Sequence, residues 1–176
     1  QFSLLTEKDK KTLLTDWNNT KNSFPDNKNL ADVFYEQVCK TPHHPALIED
    51  DYRLSYQQLN DTANQIAHAV QSKASRAIQA DDMIVVYSES KTHMLLGFLA
   101  AIKLGAAYIP LDAACHSTQL EQIVDEYSPI MAICGDDTEA NRLLNAGYDI
   151  ERIFRFDKEE TSILSASSDN PPNSAT

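Results

Sequence analysis

This sequence is short of glycine, of positive charge and of long apolar runs. Its 176 residues hold four glycines, Gly97, Gly105, Gly135 and Gly147, none within five residues of another. No glycine-rich loop is therefore present whose backbone N–H groups could cradle a phosphate. Lys and Arg number 15 against 26 Asp and Glu, a net charge of −11. Such a surface repels phosphate backbones and argues against general nucleic-acid binding. No apolar run reaches the ~18 residues that mark a membrane-spanning helix. The N-terminal QFSLLTEKDKK carries charges where a signal peptide needs an apolar core, so export is not expected. Cys39, Cys115 and Cys134 form no CxxC pair and fit neither a disulfide framework nor a zinc site. They read as buried or incidental thiols of a reducing cytosol. A start at Gln1 rather than Met suggests a piece of something longer.

What is present is an ordinary globular composition, 42% hydrophobic and 23% charged, enough for one domain or one lobe of a larger one. Residues 5–19 carry a weak capping box at Thr6, and Leu13, Leu14 and Trp17 share a helical face. Residues 18–28 are polar, broken by Pro25, and read as a linker. A second amphipathic helix over 29–42 has the stripe Leu30, Val33, Phe34, Gln37 and Val38. The period then changes to two strands, 46–48 and 52–54, around a Glu49-Asp50-Asp51 turn. Ser55 and Gln58 form a capping box for a helix from Tyr56 to about Gln71, with Leu59, Ala63, Ile66, Ala67 and Val70 on one side. From Met83 onward strands and helices alternate: MIVVY, a helix ending at Gly105, AYIPL, a helix stopped by Pro129, IMAIC, a helix ending at Gly147, and RIFRF. This alternation predicts an α/β fold, a mostly parallel sheet with flanking helices.

The stretch IKLGAAYIPLD, 102–112, is a helix-to-strand device in which Gly105 takes a positive φ and Pro110 sits where losing an N–H is tolerated. It also resembles the LKAGAAYVPLD motif of amino-acid adenylation domains in nonribosomal peptide synthetases. LSYQQLNDTANQIAHAV (54–70) is similar to that family's LTYxELNxxANxLAxxL, and ADVFYEQVCKTPHHPALI (31–48) to its LFEEQVxxTPDxxAL. LLTEKDKKTLLTDWNNTKNSFP (4–25) resembles the linker that joins a condensation domain to an adenylation domain. The four stretches fall in the family's order over residues 4–134. After Asp112 the family's Pro-x-x-Pro-x-x-Arg-Leu is replaced by AACHSTQL, which removes both prolines and the arginine.

The resemblance implies an incomplete N-terminal part of the large subdomain of an adenylate-forming enzyme. Residues 1–28 would be the interdomain linker with its amphipathic helix, 29–160 the N-terminal part of the adenylation domain, and 161–176 a flexible linker leading to a missing phosphate loop. The intact domain would activate an amino acid with ATP and Mg²⁺ and load it onto a phosphopantetheinyl carrier protein. Its partners would be the rest of the domain, neighbouring condensation and carrier domains and an MbtH-like activator, in the cytoplasm. The family's loop, similar to TSGTTGKPKG, has no counterpart here. No residue of this chain therefore matches a catalytic, cofactor-binding or metal-binding position, and the chain alone is expected to be inactive. Two alternatives stay open: a fragment of an acyl-CoA or fatty-acyl-AMP ligase, and a non-catalytic interaction module.

Single residues that tempt a functional reading have plainer ones. His43-His44 reads as a solvated loop, since adjacent side chains point apart. His93 reads as a hydrogen-bonded helix histidine. Cys115-His116 lacks the orienting acid of a nucleophile–base pair. Ser88-Glu89-Ser90 reads as a helix cap, and Glu49-Asp50-Asp51 as a turn without calcium-ligand spacing. Trp17 reads as packing against a neighbouring domain or against this one.

Overall fold

The computed structural model describes residues 5–24, 26–50, 52–112 and 114–172. Thr6 and Asp9 close a reciprocal capping box on α1, Glu7–Lys11, which runs on as a π-helical stretch, Thr12–Asp16. The apolar face expected here meets no core: Leu14 is 74% exposed and Trp17 70%. Helix α2, Leu30–Lys40, is capped by Asn29 and Asp32 in the same reciprocal way. Of its predicted stripe Val38 is buried and Phe34 packs against the core, while Leu30 and Val33 stay exposed. Strands β1, Pro45–Glu49, and β2, Tyr52–Ser55, pair antiparallel as a separate hairpin. Glu49, expected in the turn, is instead the last residue of β1 and accepts a hydrogen bond from the Thr92 hydroxyl. Asp50 supplies the left-handed turn residue at φ 49, and Asp51 lies outside the described residues.

Ser55 and Gln58 then start α3, Tyr56–Lys73, whose predicted apolar side is fully buried. The second half of the chain is β3 (Met83–Tyr87), α4 (Lys91–Lys103), β4 (Ala107–Leu111), α5 (Ser117–Tyr127), β5 (Met131–Cys134), α6 (Asp137–Asn145), β6 (Ile153–Arg155) and α7 (Glu160–Ser165). The four strands β3 to β6 form one parallel sheet in the order β4-β3-β5-β6. Their side chains alternate between two cores, as the strand period requires. Ile84, Val86, Met131, Ile133 and Phe154 pack with α3 and α4. Val85, Tyr87, Ala132, Cys134 and Ile153 pack with α5 and α6 on the other face. Residues 84–87 have no exposed surface, which explains why MIVVY reads as an unbroken apolar run.

Two helices end in the same device. Gly105 at φ 74 lets Ala106 N–H reach Ala101 C=O and its own N–H reach Ile102 C=O. Gly147 at φ 95 repeats it with Tyr148 to Leu143 and its own N–H to Leu144. Both are Schellman closures, which need the left-handed conformation that glycine adopts without a Cβ clash. Directly after the first, Ala107 N–H donates to Asp82 C=O and starts β4 on the edge of the sheet. Along a parallel strand the bonding direction alternates, so Tyr108 and Pro110 turn their backbone outward. The nitrogen without a proton therefore faces the open edge.

Beyond residue 160, where a linker is expected, the chain makes contacts with α3. Helix α7 packs on α3, with Ile163 against the first core and Lys73 Nζ 2.6 Å from Glu159 Oε1. Residues 168–171 then lie along α3: Ser168 C=O accepts from Asn64 Nδ2 at 2.6 Å, and Asp169 C=O lies 3.0 Å from His68 Nε2. Pro171 is buried, and residues 173–176 lie outside the described part. Polar composition hid this, because the stretch is held by hydrogen bonds rather than by apolar burial.

Lys103, at the end of α4, is 4% exposed. Its ammonium donates to Asn60 Oδ1 at 2.8 Å and Asn170 Oδ1 at 3.0 Å and lies 5.7 Å from the Phe34 ring centroid. Burial pushes its pKa down from 10.5 to about 8, against the smaller opposite pull of Asp61. Between these values the unfolded chain holds a proton that the folded chain has lost, so this group's contribution to stability rises with pH. Denaturant unfolding of wild type and Lys103→Met at pH 7.5 and 9.5 is expected to show the difference moving in favour of wild type at the higher pH. A difference that does not change with pH contradicts this.

Gly97 faces β3 so closely that a Cβ would lie 2.6 Å from Val86 Cγ1. Val86 is fully buried in the central strand and cannot swing away. Gly97→Ala is expected to lower stability by about 1–3 kcal/mol, outweighing the ~1 kcal/mol that alanine gains over glycine in a helix. Urea unfolding checks this, and Val86→Ala in the same chain should recover part of the loss.

Candidate functional site

Parallel α/β sheets place their ligand crevices at the carboxyl ends of strands whose outgoing connections leave on opposite faces. Here that point lies between β3 and β5. After β3 the chain turns to α4 on one face; after β5 it turns to α6 on the other. Three side chains converge on Gly135 in the gap: Glu139 Oε2, His93 Nδ1 and Ser88 Oγ would lie 2.9, 3.0 and 3.0 Å from a Cβ placed there. Glycine at 135 is thus set by close approach rather than by backbone conformation.

The Glu139 carboxylate is 7% exposed and fills the position an anion would take. It accepts from Gly135 N–H at 2.5 Å and from Glu89 N–H at 2.6 Å, one donor from each of the two outgoing loops. These donors point at the crevice as they would toward a phosphate, and an internal carboxylate has taken them. Beside it a cavity of about 710 Å³ opens between the ends of β3 and β4. Its lining, Ser88, Glu89, Met94, Pro110, Asp112 and Ala114, contains two carboxylates and no basic residue. Polar backbone is satisfied locally too, Asp112 Oδ1 accepting from Ala114 N–H at 2.7 Å. The described lining does not fit a nucleotide triphosphate, since none of its residues offsets that charge.

The residues singled out from sequence fall into place around this crevice or away from it. Ser90 is the cap expected of it: its hydroxyl accepts from His93 N–H. His93 is not the hydrogen-bonded histidine expected. Its ring stacks on Phe156 with centroids 4.2 Å apart, and its buried Nδ1 has no partner among the described residues. Burial holds its pKa below the ordinary histidine value, against the pull of Glu139, Glu49 and Asp136. Cys115 and His116 do not face each other; the buried Cys115 sulfur lies 3.7 Å from the His116 carbonyl, and burial raises its pKa. Cys134 is buried in the sheet and pushed up to about 12, so it is no nucleophile, while Cys39 is exposed on α2. His43 and His44 are exposed. Among the described residues no group of three His, Cys, Asp or Glu could hold a metal ion, and no helix is long and apolar enough to cross a membrane. Sequence reasoning passed over Glu139 and Gly135; their only sequence signal is a glycine at a strand end four residues before an acid.

A family model described as AMP-binding enzyme matches residues 34–175. Among curated relatives, tyrocidine synthase 2 of Brevibacillus parabrevis is 35% identical over 126 residues, 72% of this chain and 3% of its own length. Bacitracin synthase 1 of Bacillus licheniformis is 28% identical over 174 residues, 96% of this chain and 3% of its own. The chain thus spans about 3% of the length of these relatives. Among solved structures, the nonribosomal peptide synthetase FmoA3 superposes with a TM-score of 0.73 at 19% identity, covering 90% of this chain and 16% of that one. A Mycobacterium tuberculosis fatty acyl CoA synthetase does so with 0.69 at 20% identity, covering 81% and 29%. The family match over residues 34–175, most of the chain, places it in the family of AMP-binding enzymes.

Proposed function

We propose that this chain is the N-terminal part of an amino-acid adenylation domain of a nonribosomal peptide synthetase. The observation that carries the reading is likeness to peptide synthetases over 72% to 96% of the chain, together with a fold that bears the IKLGAAYIPLD device on its edge strand. In this reading the intact domain joins an amino-acid carboxylate to the α-phosphate of Mg·ATP with release of pyrophosphate. The aminoacyl group then passes to the thiol of a phosphopantetheinyl carrier protein. Condensation and carrier domains are its neighbours and the cytoplasm its compartment.

The role of this chain in that reaction is to build, not to react. It supplies a four-stranded layer covered on both faces, and it ties the β3 and β5 loops through Glu139. In this reading none of its residues is assigned to catalysis, ATP or metal; the acidic lining of the crevice, Glu89 and Asp112, suits that reading. The exposed Leu14 and Trp17 suit contact with a preceding domain. A second reading, an acyl-CoA or fatty-acyl-AMP ligase, is favoured by the likeness in fold to the mycobacterial fatty acyl CoA synthetase. The likeness in sequence to peptide synthetases, 35% identical for tyrocidine synthase 2, favours the first.

The test is ATP–pyrophosphate exchange on two lengths of chain, these 176 residues and the same residues extended through the coding region that follows. The longer form is expected to exchange with one or a few amino acids and not with fatty acids, and the shorter form not at all. Exchange driven by fatty acids selects the second reading. Exchange by the 176 residues alone refutes the scaffold role.

A further inference from the structure

Along α3 the side chains of Asn60, Asn64 and His68 follow one another at four-residue spacing and so share one helix face. Asn64 and His68 bond to the strap formed by residues 168–171 directly, and Asn60 through Lys103. Asn64 Nδ2 donates to Ser168 C=O at 2.6 Å, and His68 Nε2 lies 3.0 Å from Asp169 C=O. Asn60 reaches the strap through Lys103, whose ammonium bridges Asn60 Oδ1 at 2.8 Å and Asn170 Oδ1 at 3.0 Å. Three consecutive strap residues are thus gripped by three polar groups of the scaffold.

The grip is unusual in its chemistry. Asn64 is 1% exposed, Asn60 is nearly as buried, and Lys103 is buried with two carboxamides and no hydrogen-bonded carboxylate. The strap offers little apolar surface in return: Ser167 to Asn170 are exposed and Pro171 is buried. Committing a buried ammonium to such a contact is a poor route to stability, because an apolar group of similar size would do as well or better. What a hydrogen-bonded ammonium adds is direction and register. Of the three acceptors two are backbone carbonyls, and Asn170 Oδ1 is the side-chain acceptor that can set register; Asn64 Oδ1 has no partner among the described residues while its amide donates to Ser168.

We propose that Asn64, His68 and Lys103 form a seat that fixes the strap in one register, and that Lys103 is a positioning residue for the adenylation reaction. This role rests on the function proposed above. The seat sets the point and direction from which the chain leaves at Pro171, so everything that follows starts from a fixed place on the α3–α4 layer.

Pyrophosphate exchange by the extended form tests this with variants of Asn170, an exposed strap residue. Asn170→Ala removes the acceptor; Asn170→Asp keeps it. The alanine variant is expected to lose about tenfold in kcat, as displacement of a reacting group by a fraction of an ångström does, with the amino-acid KM unchanged. The aspartate variant should retain the wild-type rate, and thermal midpoints of both should stay within about 2 °C of wild type. Lys103→Gln is expected to match the alanine variant; if it fails to fold, the two strap variants decide. Wild-type kcat in Asn170→Ala, or equal losses in both strap variants, overturns the seat. No exchange by the unsubstituted extended form overturns the reading of function, and the positioning role with it.

Discussion

Residues Ile84 to Tyr87 have no exposed surface, and that burial on two faces is the constraint the rest of the structure serves. A strand covered on one side can alternate polar and apolar residues; a strand covered on both cannot. Helices α3 and α4 must therefore lie on one face and α5 and α6 on the other, and each needs an abrupt stop to return the chain to the sheet. Gly105 and Gly147 supply two of these stops in the same left-handed geometry. Gly97 lets α4 approach Val86 more closely than any other residue would allow.

The same arrangement opens a crevice at the carboxyl ends of β3 and β5, where an α/β enzyme would place its anion. This chain has put a side chain there instead. Glu139 binds one N–H from each loop and so locks two connections that diverge to opposite faces. A carboxylate held by two backbone donors in a buried place is strongly anchored. The crevice is thereby a joint between layers, and its acidic rim at Glu89 and Asp112 leaves the cationic half of any nucleotide site to be supplied from elsewhere.

Much of this was legible in the sequence. Capping boxes at Thr6 and Ser55, the unbroken apolar strands and the glycines at helix ends are local signals, and each marks its element. What was not legible depends on partners distant in sequence. Asn64 and Ser168 are 104 residues apart, so the bond between them leaves no local signal. His93 looks like any helix histidine until Phe156 comes to lie flat against it. The stripe on α2 is half right, because periodicity gives the face of a helix but not how far along it the core extends; Leu30 and Val33 lie beyond that reach. The chemistry of the site was legible only as a shortage of glycine and of positive charge.

Pro110 makes one edge of the sheet unlike the other. Ala107 donates inward to Asp82, so the outward backbone positions of β4 include Tyr108 and Pro110, and one of these two has no proton to offer. A neighbouring strand laid against that edge would find one donor missing, at Pro110. The edge at β6, with Arg155 in place of a proline, carries no such block. The two edges are therefore unlike: a single imino acid makes β4 the poorer template for pairing, and β6 has no such gap.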